Sequence, residues 1–138
     1  RDPQVADLPF SDGAHNDVDP YVTPDEALLI FSSDRGAPTE GGKPGPERLF
    51  AVFRPRSRAP LVCPLRLPGW EDPSVSMIEA RLSRDRRTLY FASRRLAHGA
   101  GEPPRGDWDS GKANIWAAPF TAGLWRFGGA SAACMAAG

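Results

Sequence analysis

The chain contains two copies of one short pattern, about sixty positions apart. Residues 21–35, YVTPDEALLIFSSDR, align with residues 81–95, RLSRDRRTLYFASRR. Each copy has a hydroxyl residue, an Asp two positions later, and then an apolar run that ends before Ser and Arg. A second apolar segment follows each copy, at residues 48–53 and 114–118. Repetition at this spacing is typical of modular β or solenoid architectures.

The repeated apolar runs, residues 28–31 and 88–91, are predicted to be strands, because each is too short for a helix and is bounded by turn residues. A strand that is apolar at consecutive positions is covered on both faces. Stacked sheets in a β-propeller provide that environment. Six strands are predicted, with the first two of each unit antiparallel: residues 19–23, 28–33, 48–53, 79–83, 88–93 and 114–118.

The first unit has room for a fourth strand within residues 60–65, whose prolines favour a sheet edge. We therefore predict an all-β fold: a β-propeller fragment of two four-stranded antiparallel blades, residues 14–66 and 74–127, not closed within this chain. Residues 128–138 lack the blade pattern and are expected to be disordered. Because a propeller closes with roughly four to eight blades, we expect either that further blades of the same protein are missing or that the chain closes by self-association.

Turn chemistry explains the hydroxyl and acidic residues of the repeat. Thr23 and Ser83 can bond back to the turn backbone, and Asp25 and Asp85 can do the same as Asx-turn residues. Residues equivalent across the two units are expected to be buried: Leu29, Phe31, Leu49, Leu89, Phe91 and Ile115.

Residues 16–26, NDVDPYVTPDE, with the following LLIFSSDR, resemble the WD-like β-propeller repeat of the TolB type. That family typically has Ser/Thr-Pro-Asp-Gly before an apolar strand ending Ser-Ser-x-Arg. The second unit departs from it, with Arg84 at the usual proline and Arg86 at the turn glycine. The resemblance extends over about residues 14–120. It implies a periplasmic or extracellular setting and protein or glycan partners.

The charge pattern excludes one class of partner. The formal net charge is zero, although residues 81–95 carry six Arg against Asp85. Because nucleic-acid-binding domains are usually basic overall, no nucleic-acid partner is expected. No apolar stretch is long enough for a membrane span.

The two long loops, residues 36–46 and 96–112, connect the second and third strands of each unit and are rich in Gly and Pro. Loops on a rigid frame commonly carry function, so the binding surface is predicted here. The candidate contact residues are Asp107, Trp108, Asp109, Arg35 and Arg95. For the two Arg residues the favoured alternative is bonding to loop carbonyls, because a guanidinium has five donors.

The segment 107–111, DWDSG, resembles the start of a calcium loop, in which oxygens at alternate positions converge before a glycine. The third Asx and the distal Glu of such loops are missing, so neither a metal nor another cofactor is predicted. His15 and His98 have no second His or Cys at ligand spacing.

No enzyme signature such as a Gly-x-Ser-x-Gly elbow is present. The prediction is therefore a non-catalytic binding or scaffolding module for protein–protein interaction. One alternative, also implied by the resemblance, is the gating propeller of a prolyl-oligopeptidase-like hydrolase whose catalytic domain lies outside these residues. A truncated, non-functional gene product is the other alternative.

Overall fold

The computed structural model describes residues 3–4, 6, 8–11, 13–36, 41–54, 64–67 and 74–121. In this part of the chain the fold is all-β, without a helix, as predicted. The described strands are β1 (Asp17–Val22), β2 (Leu28–Ser33), β3 (Arg48–Phe53), β4 (Leu65–Arg66), β5 (Met77–Leu82), β6 (Thr88–Ser93) and β7 (Asn114–Pro119).

The strands form two antiparallel sheets in which neighbours in sequence pair with each other. The first sheet has the order β1-β2-β3-β4, and the second has the order β5-β6-β7. The six longer strands confirm the predicted layout, and the first two strands of each unit are antiparallel. Neither sheet closes on itself within the described residues.

The bounds of four strands differ from those predicted, and the smallest difference is in β7, which ends one residue later than expected. Strands β1 and β5 begin two residues earlier than predicted and end one residue earlier, because the next residue already belongs to the turn. Strand β4 overlaps the predicted fourth strand only at Leu65, while residues 60–63 lie outside the described part. Residues 122–138, which include the end of the second predicted blade and the predicted tail, also lie outside it.

The repeat extends to backbone irregularities that the sequence pattern did not predict. Both first strands carry a bulge at the same place, between Val18 and Tyr21 in β1 and at the equivalent position of β5. Asp19 and Glu79 within these bulges have φ angles of 53° and 55°. Bulges bend a strand and increase its twist. The two units therefore share one backbone design and not only one sequence pattern.

The turn prediction is confirmed in both units. The Thr23 hydroxyl donates to Asp25 Oδ1 at 2.6 Å and accepts from the amide of Leu28 at 3.1 Å. The Ser83 hydroxyl makes the corresponding bonds to Asp85 Oδ1 and from the amide of Thr88. In each turn the hydroxyl thus bonds the backbone at the start of the next strand, and the carboxylate fixes the orientation of the hydroxyl.

Burial confirms most of the predicted core. Every residue of β2 is buried, as predicted for a strand covered on both faces. Leu49, Leu89 and Phe91 are buried as well. Ile115 is the exception, because its side chain is 80% exposed. It lies on the outer face of the second sheet, which no other described strand covers.

The two sheets pack on each other through faces that are not equivalent in the repeat. The first sheet contributes the face formed by Leu28, Ile30, Leu49 and Ala51, here called the packing face. The second sheet contributes the face that carries Leu89, Phe91 and Ala118.

The other side of the first sheet forms a separate cluster, here called the aromatic face. It consists of Leu29, Phe31, Phe50 and Val52. Leu8 and Phe10, from the segment before β1, cover it, and the Phe10 and Phe31 rings stack at 5.1 Å.

Candidate functional site

The loop between β6 and β7, residues 94–113, carries four of the five predicted contact residues, all but Arg35, and is described throughout. The equivalent loop between β2 and β3 is described only in part, because residues 37–40 lie outside the described residues. The two loops leave equivalent ends of equivalent strands. The candidate site is therefore built from the 94–113 loop.

Asp109 organises this loop from the inside. Its side chain is buried, and its carboxylate accepts hydrogen bonds from the amides of Ala97 at 2.7 Å and Arg105 at 3.1 Å. It also lies 2.6 Å from His98 Nδ1. Burial alone would raise the pKa of Asp109, but the bonds from Ala97, His98 and Arg105 outweigh it and lower this pKa to about 2. The ionised carboxylate ties both halves of the loop together.

This contact fixes the orientation of the His98 ring. Because the ionised carboxylate of Asp109 can only accept, Nδ1 of His98 carries a proton and donates it to Asp109 Oδ2. A carboxylate behind a histidine also supports general bases in hydrolases. Among the described residues, however, Asp109 is the hydrogen-bond partner of His98, and no hydroxyl donates to Nε2. The pair links the part of the loop that follows β6 to the part around Asp109.

Trp108 is the most prominent side chain that the loop presents, with half of its surface exposed. Its ring packs edge to face against the Trp116 ring, with the ring centres 6.2 Å apart. The main-chain carbonyl of Trp108 accepts a hydrogen bond from Asn114 Nδ2. Gly106 lies against the indole, since a Cβ at that position would come within 2.8 Å of Trp108 Nε1. These contacts fix the orientation of an exposed aromatic ring.

A depression of about 400 Å³ lies beside Trp108. Its lining combines the two Trp rings with one amide and two apolar side chains: Trp108, Trp116, Asn114, Ile115 and Ala117. Mostly apolar concavities with a few polar groups are typical of binding sites. The sequence pattern did not single out Asn114 or Trp116 as contact residues, although both follow the loop closely along the chain.

The structure places the predicted contact residues in different environments. Asp107 and Trp108 are exposed and available at the surface. Asp109 is buried and its carboxylate faces the loop interior, where it holds His98. Only the first two of these three side chains can therefore reach a partner without rearrangement of the loop.

Arg35 and Arg95 lie over aromatic rings at equivalent strand ends. The Arg35 guanidinium is 5.4 Å from the centre of the Phe31 ring and donates to the carbonyl of Phe10 at 3.1 Å. The guanidinium of Arg95 is 5.2 Å from the centre of the Trp116 ring. The main-chain carbonyl that Arg35 bonds thus belongs to the segment before β1 and not to the 36–46 loop.

Two further observations concern the described residues. No group of three or more His, Cys, Asp and Glu side chains in this part of the chain could hold a metal ion. In the same residues there is no helix long and apolar enough to cross a membrane.

Comparison with known proteins found no matching family model, no matching curated protein and no matching solved structure. The class that the fold defines is an all-β protein of two repeated antiparallel sheets.

Proposed function

We propose that this chain is part of a β-propeller of the TolB-like repeat class and acts as a non-catalytic binding module for a protein partner. Support for the propeller comes from the repeated bulges, the repeated turns and the packing of one sheet onto its equivalent. Further blades would complete the ring. A periplasmic or extracellular setting accompanies this proposal through the resemblance in residues 16–36.

The observation that carries the binding role is the rigid presentation of Trp108. The ring is half exposed, yet it packs against Trp116 and Gly106, and Asn114 bonds the main-chain carbonyl of the same residue. Aromatic anchors of this kind lose little conformational entropy on binding and dominate many protein interfaces. Asp107 beside it supplies an exposed acidic group. The partner is therefore expected to present an apolar pocket with a basic rim.

The test compares affinity capture by the parent chain, Trp108→Ala and Leu96→Ala. Leu96 is a matched control, because it is an exposed apolar residue of the same loop. A captured protein should bind Trp108→Ala at least about tenfold more weakly, as is usual for a hot spot, and bind Leu96→Ala like the parent. Equal loss in both variants, or no loss in either, contradicts the proposed site. Binding to a glycan array but to no protein would contradict the proposed partner class.

A further inference from the structure

The contact between the two sheets of this chain joins two faces that are not equivalent in the repeat. The same contact could therefore be repeated with a further sheet at either end. Positions 30, 49 and 51 of the first sheet pack against positions 89, 91 and 118 of the second. The register shows that Ile30 is equivalent to Tyr90, while Phe31 is equivalent to Phe91. The packing face of one unit thus contacts the equivalent of the aromatic face of the next. A head-to-tail contact of this type leaves one face of each kind unused at the two ends.

One unused face lies on the second sheet and is here called the open face. It carries Tyr90, Ile115 and Ala117, the equivalents of the packing face, and all three side chains are exposed. In the first sheet the corresponding residues, Ile30, Leu49 and Ala51, are buried in the contact between the sheets. The open face supplies Ile115 and Ala117 to the lining of the Trp108 depression, but it belongs to the strands and not to the 94–113 loop.

The other face that meets no described sheet is the aromatic face of the first sheet. Leu8 and Phe10, from the segment before β1, cover it in place of a sheet. Phe10 stacks on Phe31, and Leu8 packs beside it. The cover is incomplete, since Val22 on the same side is exposed. Its equivalent in the second unit, Leu82, is buried between the sheets. A sheet in place of the segment around Phe10 would bury Val22 in the same way.

We propose that the open face docks onto the aromatic face of a second copy of this chain, and that the segment carrying Leu8 and Phe10 is an internal cover that competes for that face. The occupant is a second copy, because the contact between the two sheets already shows that these two kinds of face fit together. Repetition of the contact adds two sheets for each copy. About two to four copies would then reach the four to eight sheets of a closed propeller.

Mixing two variants tests this directly. The first carries Leu8→Ala, Phe10→Ala and Ile115→Asp, so its aromatic face is uncovered and its open face is blocked. The second carries Val22→Asp, so its aromatic face is blocked and its open face is intact. Val22 and Ile115 are exposed in the single chain, so their replacement is not expected to disturb the fold.

Sedimentation velocity should show each variant alone as a monomer and the mixture as a one-to-one complex. Replacing Ile115→Asp by Leu96→Asp in the first variant is the control, and this protein should associate with itself. A mixture that stays monomeric at about 0.1 mM, well above a micromolar dissociation constant, overturns the proposal. Association of either blocked variant with itself also overturns it, because the contact would then not be head to tail. Trp108 is unchanged in all of these variants and no other protein is present. The result is therefore independent of the partner proposed for Trp108.

Discussion

Arg35 donates to both carboxylate oxygens of Asp17 at 2.7 Å and so joins the end of β2 to the start of β1. The same guanidinium lies over the rings of Phe10, Phe31 and Phe50. It also bonds the carbonyl of Phe10. One side chain therefore holds the first strand, the aromatic face and its cover together.

Replacing Arg35 by Lys should destabilise the chain by about 1–3 kcal/mol, because an ammonium cannot reproduce the planar contact with the rings and the carboxylate together. Urea titration measures the loss. Arg94→Lys is the matched control, since Arg94 is exposed, and it should stay within about 0.5 kcal/mol of the parent. A double-mutant cycle with Asp17→Asn should show coupling, and independent effects would contradict the bridging role.

Phe91 and Ile115 lie on paired strands but on opposite faces of the second sheet, so their replacement should change the free energy of unfolding by very different amounts. Phe91→Ala should cost about 3–5 kcal/mol in free energy of unfolding, because the ring is fully packed between the sheets. Ile115→Ala should cost less than about 0.5 kcal/mol, because its side chain already faces solvent in the single chain. Denaturant titration of both variants decides the matter, and similar losses would contradict the assignment of faces.

The turn hydroxyl should control the acidity of its neighbour. The hydrogen bond from Thr23, with smaller contributions from Arg86 and the amide of Ala27, lowers the pKa of Asp25 from its ordinary value of 3.8 to about 2. Thr23→Val should raise this pKa towards 3.8, and by more than Arg86→Gln does. Carboxyl NMR titration follows the change. Ser83→Ala is the control, since it should raise the pKa of Asp85 and leave that of Asp25 in place.

The lowered pKa of Asp25 also predicts how the stability of the chain changes with pH. A carboxyl whose pKa is lowered by folding stabilises the native state fully above its unfolded pKa, and this contribution disappears as pH falls through the folded value. For Asp25 the window runs from about 4 down to about 2. Thr23→Val should therefore flatten the acid limb of the stability curve, whereas an unchanged acid limb would contradict the hydroxyl contact.

The 94–113 loop should loosen when its buried carboxylate is neutralised. Asp109→Asn replaces an acceptor oxygen by a donor amide next to donor groups, so the amides of Ala97 and Arg105 should exchange hydrogen faster. Trp108 fluorescence should shift to the red as the ring loses its fixed contacts. Asp107→Asn is the control, because Asp107 is exposed, and it should change neither signal. Unchanged exchange in Asp109→Asn would show that another contact holds the loop.

Local chemistry was predictable from sequence where it acts within a few residues. Thr23 and Asp25, with their counterparts Ser83 and Asp85, form the predicted turns because hydroxyl, carboxylate and amide lie two to five positions apart. The apolar run of β2 similarly revealed a strand buried on both sides.

Contacts between distant segments were not predictable in this way. Ile115 matches Leu49 in pattern, but burial depends on which sheet lies opposite, and a repeat pattern carries no information about that. The link between His98 and Asp109 spans an irregular loop without periodicity. The cover by Leu8 and Phe10 lies outside the repeat altogether. Each of these depends on tertiary packing, which overrides local pattern.

The measurement that tests the account most directly is a methyl NOESY spectrum that asks which face of the first sheet meets the second. Head-to-tail packing predicts cross-peaks from Ile30 and Leu49 to Leu82 and Leu89, because these side chains share one cluster. The methyl groups of Leu29 and Val52 should instead show cross-peaks to Leu8, which belongs to the other cluster. Cross-peaks from Leu29 or Val52 to the second sheet, with none from Ile30 or Leu49, would contradict the packing on which both proposals depend.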